Sequence, residues 1–495
     1  MNFVSFEFFI LLAVAVVGYY LLPNKFRWVL LLGVSWFFYA YLNFPLLFLL
    51  LFTTVVSYVS GVIIEKTEKP STKKIWLVIT LIVSLGSLAF FKYFNFLVQS
   101  VVGFVNLFGT ELGSFELYLM LPLGISFYTF QTLSYVIDVY RGKVVAEKHF
   151  GYYCLFVSFF PQLVAGPIER PGDLLPQLKA DNKFDKNLFR QGVTVFVRGF
   201  VKKVVIADFF AIFVNSVYNS KDLASLSALA IVVATAMFAI QVYCDFSGYS
   251  DIASGCALML GIKLTKNFDR PFYSESITEF WSRWHITLSR WFKDYLYAPL
   301  SFKALKSKHA KFWTCFYLIL TMFLCGLWHG ASWNYVVWGT LLGIFRVAEG
   351  FIIPAIKKRA KAKGKNYNAP WRKILRRSVT FALICVALVF FRSNTMGDAF
   401  VLFGRLFVGW GSGWKTFLSQ TGLTTTLIVT CICSLFLFNA VDHPSLQIDH
   451  HLGKNNQGVS KVNSEGVVQL LWLIVIAFSL LYAMGQTNQF IYFQF

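Results

Sequence analysis

One histidine lies at the centre of a long uncharged stretch, where an ionisable side chain is costly unless it is used or paired. The stretch runs from Phe312 to Phe345, 34 residues bounded by Lys311 and Arg346. A neutral imidazole accepts a proton near physiological pH, which suits a general base. The residues alone leave two interpretations of His329 open: a catalytic or transport residue, or a hydrogen-bonded histidine of the core.

A second histidine, His285, lies in a segment with helical periodicity. Positions 277, 281, 284, 288, 291 and 295 are apolar, while Arg283, Arg290 and Lys293 lie off that stripe. The spacing predicts one amphipathic helix at the cytoplasmic interface. His285 follows Trp281 by one turn, so it is either an interfacial histidine or a second catalytic one.

Two carboxylates, Asp245 and Asp251, follow a long uncharged run. They are six residues apart, so they do not share a helix face, and a catalytic carboxylate dyad is not indicated. The sequence favours a structural role such as helix capping or pairing with Arg270 or Arg283.

The composition is that of a membrane protein. Of the 495 residues, 57% are hydrophobic and 14% are charged, against about 25% charged residues in soluble domains. The net charge of +21 comes from basic residues between apolar runs, which indicates membrane orientation or an anionic substrate and not nucleic acid. The eight cysteines are scattered without C-x-x-C, so no disulfide framework and no metal site is predicted.

The apolar runs predict an all-α protein with about ten to twelve transmembrane helices. Asn43 to Pro45 should divide the run from Trp28 to Ile64 into two spans. Residues 312–345 would be ~51 Å long as one helix, so they predict a hairpin with His329 at or near its turn. Further runs centre on 151–168, 223–244, 378–391, 416–441 and 466–486.

The distribution of Lys and Arg predicts the topology. The stretch from Lys357 to Arg377 has ten basic residues and no acidic one, which indicates a cytoplasmic loop. The loop from Lys66 to Lys74 should share that side. The N-terminus and Glu111 should face outside.

Several motifs together resemble the membrane-bound O-acyltransferase family, in particular its bacterial branch of alginate and peptidoglycan O-acetylation proteins. They are Pro122–Gln131 (PLGISFYTFQ), Phe160–Ile168 (FPQLVAGPI), Asp245–Asp251 (DFSGYSD), Arg283-Trp284-His285 and Leu327–Gly330 (LWHG). The resemblance extends from the N-terminal spans to Phe495, with the motifs in the order of the family.

The resemblance implies a single membrane domain over residues 1–495 with re-entrant and interfacial helices around a central cavity. Within it, residues 1–148 would form N-terminal spans, 149–350 the catalytic core and 351–495 C-terminal spans. It also places the family's active-site histidine at His329 and its second histidine at His285.

The implied activity is transfer of an acetyl group from cytoplasmic acetyl-CoA to an extracytoplasmic polysaccharide such as alginate or peptidoglycan. The protein would lie in the bacterial inner membrane among lipid, with no bound cofactor, and would hand the acetyl group to an extracytoplasmic partner of hydrolase type. Basic residues of the presumed cytoplasmic face would form the donor entrance: Lys266, Arg270, Arg283 and Arg290.

Two alternatives remain at this point. The teichoic-acid D-alanyl transferases share the same core, so the fold does not decide which acyl group moves. A transporter in which the histidines relay protons is the other class, although the sequence contains no inverted repeat.

Overall fold

The computed structural model describes residues 3–411, except 43, 110, 111 and 114, together with positions 417, 418, 435 and 438. No strand is assigned in this part of the chain, and the predicted all-α fold is confirmed. The predicted run 466–486, nearly all of 416–441, and Glu111 lie outside the described residues.

The helices follow one another with short connections. Their bounds are α1 Phe6–Leu21, α2 Asn24–Leu42, α3 Phe44–Lys66, α4 Pro70–Leu88, α5 Phe94–Asn106, α6 Ile125–Tyr140, α7 Phe150–Ser158, α8 Pro171–Lys179, α9 Lys186–Val201, α10 Asp208–Tyr218, α11 Ala228–Met259, α12 Ile277–Arg283, α13 Ile286–Phe292, α14 Ala298–Ala304, α15 Ala310–His329, α16 Trp333–Ala362, α17 Pro370–Arg392 and α18 Met396–Val408. Three π-helical turns join neighbours: Ala89–Tyr93, Lys202–Ala207 and Lys293–Tyr297.

Six helical segments of the described part are long and apolar enough to cross a membrane. They are Phe44–Lys66, Pro70–Asn106, Ala228–Met259, Ala310–His329, Trp333–Ala362 and Pro370–Arg392. The chain is therefore a multi-pass membrane protein. The predicted break near Asn43 is confirmed, since α2 ends at Leu42 and α3 begins at Phe44.

The described residues form two compact units. The first comprises Met1–Val197 and Tyr249–Thr265, and the second comprises Arg198–Gly248 and the chain from Lys266 onward. Both histidine motifs belong to the second unit. A single domain with internal boundaries at 148 and 350 stays a prediction.

In the first unit, small side chains let α3 pack closely on its neighbours. Ser57 and Gly61 are fully buried on one face of α3, and the Ser57 hydroxyl lies 2.7 Å from the Tyr153 hydroxyl of α7. A Cβ atom at Gly61 would collide with the ring of Tyr135 on α6. Small residues of this kind allow helices to approach closely where lipid supplies no hydrophobic driving force.

In the second unit, α15 and α16 form the hairpin that the length of the uncharged stretch predicts. α15 ends at His329, and the Ser332 side chain caps α16 by accepting a hydrogen bond from the Asn334 N–H. Gly326 and Gly330, which are spaced as in the G-x-x-x-G packing motif, both lie against α16. A Cβ atom at Gly326 would collide with the backbone of Tyr335, and one at Gly330 would collide with the Tyr335 ring.

Candidate active site

His285 lies at a break between two short helices, and the prediction of one continuous amphipathic helix is wrong. α12 ends at Arg283 and α13 begins at Ile286. His285 between them has φ 41° and ψ 56°, the left-handed region that is costly for a residue with a Cβ atom. Such a conformation persists only where surrounding contacts impose it.

Hydrogen bonds from the segment before α12 impose that conformation. The backbone carbonyl of Asn267 accepts a hydrogen bond from the Ile286 N–H at 2.8 Å. The side-chain oxygen of Asn267 lies 2.8 Å from the Thr287 hydroxyl and 3.1 Å from Nδ1 of His285. Asn267 therefore satisfies the first donors of α13 and holds the imidazole at the same time.

His329 reaches the same part of the unit from the end of α15. Its neighbour Trp328 lies with its ring centroid 5.8 Å from that of His285 and 5.0 Å from that of His329. Trp338 and Phe391 cover the His329 ring at 5.0 Å and 5.7 Å. The structure thus brings together the two histidines that the sequence singled out, inside an aromatic enclosure.

Both imidazoles are removed from water, with relative exposures of 0% for His285 and 3% for His329. Burial lowers the pKa of His285 well below its ordinary value, and the electrostatic effect of His329 lowers it further. The neutral form of His285 is therefore the stable one at physiological pH. A neutral imidazole can accept a proton or a hydrogen bond.

A cavity of about 400 Å³ is lined by residues close in the chain to both histidines, and neither histidine is itself a lining residue. Its walls come from α12, α13 and the following π-helical turn on one side and from α15 and α16 on the other. The lining residues are Thr278, Trp281, Ser282, Ile286, Ser289, Arg290, Phe292, Lys293, Tyr297, Leu318, Thr321, Met322, Cys325 and Arg346. Ile286 follows His285 directly and Cys325 precedes His329 by one helical turn, so the cavity reaches residues next to both.

The cavity wall carries three cationic side chains and no carboxylate among its lining residues: Arg290, Lys293 and Arg346. The nearest acidic residue along α16, Glu349, is engaged elsewhere. Its carboxylate accepts hydrogen bonds from the backbone N–H groups of Ile277 and Thr278, at 2.7 Å and 2.9 Å, at the start of α12. The cavity is therefore suited to a ligand with an apolar part and anionic groups.

The four basic residues predicted at the donor entrance differ in their surroundings. Arg290 lines the cavity. Lys266 and Arg283 do not, and they pair with Asp269 at 3.0 Å and Glu279 at 2.8 Å. Arg270 lies with its guanidinium 5.7 Å from the ring of Tyr273. Sequence reasoning did not assign Arg346 to this site, because a charge at the end of an apolar run looks like an orientation signal.

Asp245 has a structural partner, as predicted, but the partner is a lysine and neither Arg270 nor Arg283. Nζ of Lys203 lies 2.7 Å from a carboxylate oxygen of Asp245 and 2.8 Å from one of Asp208. All three side chains are nearly inaccessible to water. Within the described ranges no group of three or more His, Cys, Asp or Glu side chains is arranged to hold a metal ion.

The fold and this site define a class, a helical membrane protein with a buried histidine pair beside a cation-lined cavity. Residues 147–391, which contain both histidines, match the model of the membrane-bound O-acyltransferase family. The chain belongs to that family and is an acyltransferase.

Three relatives of this chain are named for the transfer of an acetyl or a D-alanyl group. It is 37% identical over 420 residues to the probable alginate O-acetylase AlgI of Azotobacter vinelandii, covering 84% of this chain and 79% of that protein. The peptidoglycan O-acetyltransferase of Helicobacter pylori is 35% identical, with 79% and 76% covered. The teichoic acid D-alanyltransferase of Streptococcus thermophilus is 29% identical, with 54% and 68% covered.

Proposed function

We propose that this protein is an O-acetyltransferase that takes an acetyl group from acetyl-CoA on the cytoplasmic side and passes it across the membrane for O-acetylation of an extracytoplasmic polysaccharide. The observation that carries the proposal is the convergence of His285 and His329 on Trp328, together with a cavity that reaches Ile286 and Cys325 and whose charged lining residues are all cationic. The identities to the alginate and peptidoglycan O-acetylation proteins support the acetyl group.

His329 is the proposed general base. An acceptor hydroxyl would lose its proton to the imidazole as its oxygen attacks the thioester carbonyl, forming the new C–O bond and then breaking the C–S bond. The proton finally reaches the thiolate of CoA, so the products are an ester and a free thiol. Burial of His329 among Trp328, Trp338 and Phe391 supports this role, because the enclosure keeps bulk water away from the proton transfer.

The cavity is the proposed donor site. Arg290, Lys293 and Arg346 would attract the phosphates of CoA, while the apolar lining around Phe292 and Leu318 suits the pantetheine arm. We propose that Lys266, Arg270 and Arg283, in the segment that leads to α13, add to the positive potential that draws the donor in. The donor would thus reach the histidines from the cytoplasmic side.

The acceptor is proposed to arrive from the opposite side. Alginate, peptidoglycan or a similar polymer carries the hydroxyls, and an extracytoplasmic partner protein of hydrolase type would complete the transfer. We propose that the protein lies in the inner membrane of a bacterium, with the donor on the cytoplasmic side. The transporter alternative is set aside, because the chain belongs to an acyltransferase family.

D-alanyl transfer to teichoic acid is the second candidate, favoured by the match to the teichoic acid D-alanyltransferase. Offering the purified protein either acetyl-CoA or a D-alanyl carrier-protein thioester separates the two. Thioester cleavage and acyl transfer with acetyl-CoA are the expected result. Cleavage of only the D-alanyl thioester would overturn the acetyl assignment and support the second candidate.

A further inference from the structure

Nδ1 of the His285 ring contacts a buried asparagine, Asn267, whose side chain also contacts a threonine of α13. Asn267 is 3% exposed. Its side-chain oxygen lies 3.1 Å from Nδ1 of His285, 3.2 Å from the backbone nitrogen of Thr287 and 2.8 Å from the Thr287 hydroxyl. Three groups therefore converge on one amide oxygen.

The contact with Thr287 decides which way the asparagine amide is turned. A backbone N–H can only donate, so the side-chain atom that faces it must be the oxygen of Asn267 and not the NH₂ group. The contact therefore distinguishes the oxygen of the Asn267 amide from its nitrogen, which are otherwise hard to tell apart. The same oxygen is an acceptor for His285, so Nδ1 of the ring must carry the hydrogen.

The backbone around Asn267 holds the histidine from both sides of the helix break. The Ile286 N–H donates to the Asn267 carbonyl at 2.8 Å, and the Asp269 N–H donates to the Arg283 carbonyl at 2.8 Å. These bonds join the 267–269 segment to the end of α12 and the start of α13. The ring of His285 is therefore held in both position and orientation by one short segment.

We propose that Asn267 is a positioning residue that keeps His285 in the Nδ1–H tautomer, so that Nε2 bears the lone pair during acyl transfer. This inference rests on the proposed function. In this tautomer Nε2 has no proton to give to the departing thiolate of the donor. His285 therefore accepts a hydrogen bond in the reaction. The proton that reaches the CoA thiolate comes from His329, which took it from the acceptor hydroxyl.

The surroundings of His285 are consistent with a ring that stays neutral. Phe246 of α11, Phe268 and Trp328 of α15 lie around it, with ring centroids 4.7 Å, 6.3 Å and 5.8 Å away. Among the titratable groups of the described part of the chain, His329 acts on it electrostatically. An imidazolium in this enclosure would lose its hydration without gaining a counter-charge from these neighbours.

The direct test is the tautomer itself. Nitrogen-15 NMR of histidine-labelled protein in detergent distinguishes protonated from unprotonated ring nitrogens, and His285→Gln identifies the signals of His285. We expect Nδ1 protonated and Nε2 unprotonated in the unaltered protein. An Nε2–H tautomer would overturn the proposal whether or not the protein transfers acetyl groups, so this result is independent of the proposed function.

Two substitutions extend the test to catalysis. Asn267→Leu removes the acceptor oxygen and should mix the tautomers. We expect kcat to fall roughly 10- to 100-fold, as when a metal-bound histidine loses the partner that orients it. Asn267→Asp keeps the oxygen and places a negative charge beside the ring, which raises the pKa of His285. The acidic limb of the pH profile of kcat should therefore move to higher pH.

The matched control is Asn95→Leu, which removes another amide that exchanges two hydrogen bonds with the backbone, here at Leu117. It should lower stability and leave the His285 tautomer unchanged. An unchanged tautomer with normal kcat in Asn267→Leu would contradict the proposal. Should that variant fail to fold, the tautomer of the unaltered protein and the pH profile of Asn267→Asp still decide.

Discussion

Nζ of Lys203 lies 2.7 Å from a carboxylate oxygen of Asp245, and the same ammonium group lies 2.8 Å from Asp208. One buried cation thus joins the π-helical turn at Lys202–Ala207, α10 and α11 within the second unit. Because two carboxylates and one ammonium are withdrawn from water together, the ammonium offsets part of the cost of burying both carboxylates.

We expect Lys203→Met to destabilise the protein by about 3–5 kcal/mol, since it removes a cation that contacts two buried carboxylates. The combination of Lys203→Met with Asp208→Asn and Asp245→Asn should recover much of that loss. Thermal unfolding in detergent measures both. The control is Lys266→Met, which breaks a half-exposed pair with Asp269 and should cost about 0–1 kcal/mol. Equal effects of the two lysine variants would contradict this account.

Charge reversal at the cavity should affect the donor and not the acceptor. Arg290→Glu is expected to raise KM for acetyl-CoA, in a salt-dependent way, more than Arg283→Glu, because Arg290 lines the cavity and Arg283 is paired with Glu279. Steady-state kinetics with each substrate varied in turn supply the comparison. If only the KM for the acceptor changed, the cavity would not be the donor site.

The membrane topology can be tested by cysteine accessibility. The distribution of Lys and Arg predicts that Lys361, in the basic loop of residues 357–377, faces the cytoplasm and that Glu111 faces outside. Single cysteines at these two positions, in a protein without reactive native cysteines, should be labelled from opposite sides of the membrane. Labelling of both from the same side would refute the predicted orientation.

Stability should depend on pH through His285. Because burial holds the pKa of this imidazole well below its ordinary value of 6.5, the unfolded chain binds a proton below that pH while the folded chain does not. The contribution of His285 to the free energy of unfolding should therefore be complete above about pH 6.5. It should fall as the pH is lowered, by at most about 1.4 kcal/mol per pH unit.

The free energy of unfolding of His285→Gln should be measured over the same pH range and compared with that of the unaltered protein. The variant lacks the titrating group, so its stability should fall less steeply between about pH 6.5 and 5. Parallel pH dependences of the two proteins would show that other groups cause the effect.

The length of an uncharged run was enough to predict the α15–α16 hairpin and the position of His329 at its turn. The break at His285 could not be predicted in the same way. The apolar spacing around it is helical, and the bonds that interrupt the helix come from Asn267, 18 residues earlier in the chain. Local periodicity does not report a partner that only the tertiary fold brings near.

The ion-pair partners of charged residues could not be predicted from the sequence either. Asp245 meets Lys203, although Arg270 and Arg283 looked equally available in a chain with an excess of cations. Arg346 likewise lines the cavity although its position at the end of an apolar run suggested only an orientation signal. The charge composition indicated membrane orientation or an anionic substrate, and only the packing of α15 and α16 on α13 brings Arg290, Lys293 and Arg346 to one cavity.

The central claim is that His329 is the base of an acetyl transfer. The measurement is acetyl transfer per correctly folded, detergent-purified molecule for His329→Ala, with thermal stability recorded in parallel. The control is His309→Ala, which removes the exposed histidine that precedes α15. The account predicts a loss of about 10²–10⁴ in rate for His329→Ala and near-normal turnover for His309→Ala. A folded His329→Ala protein with near-normal turnover would contradict it.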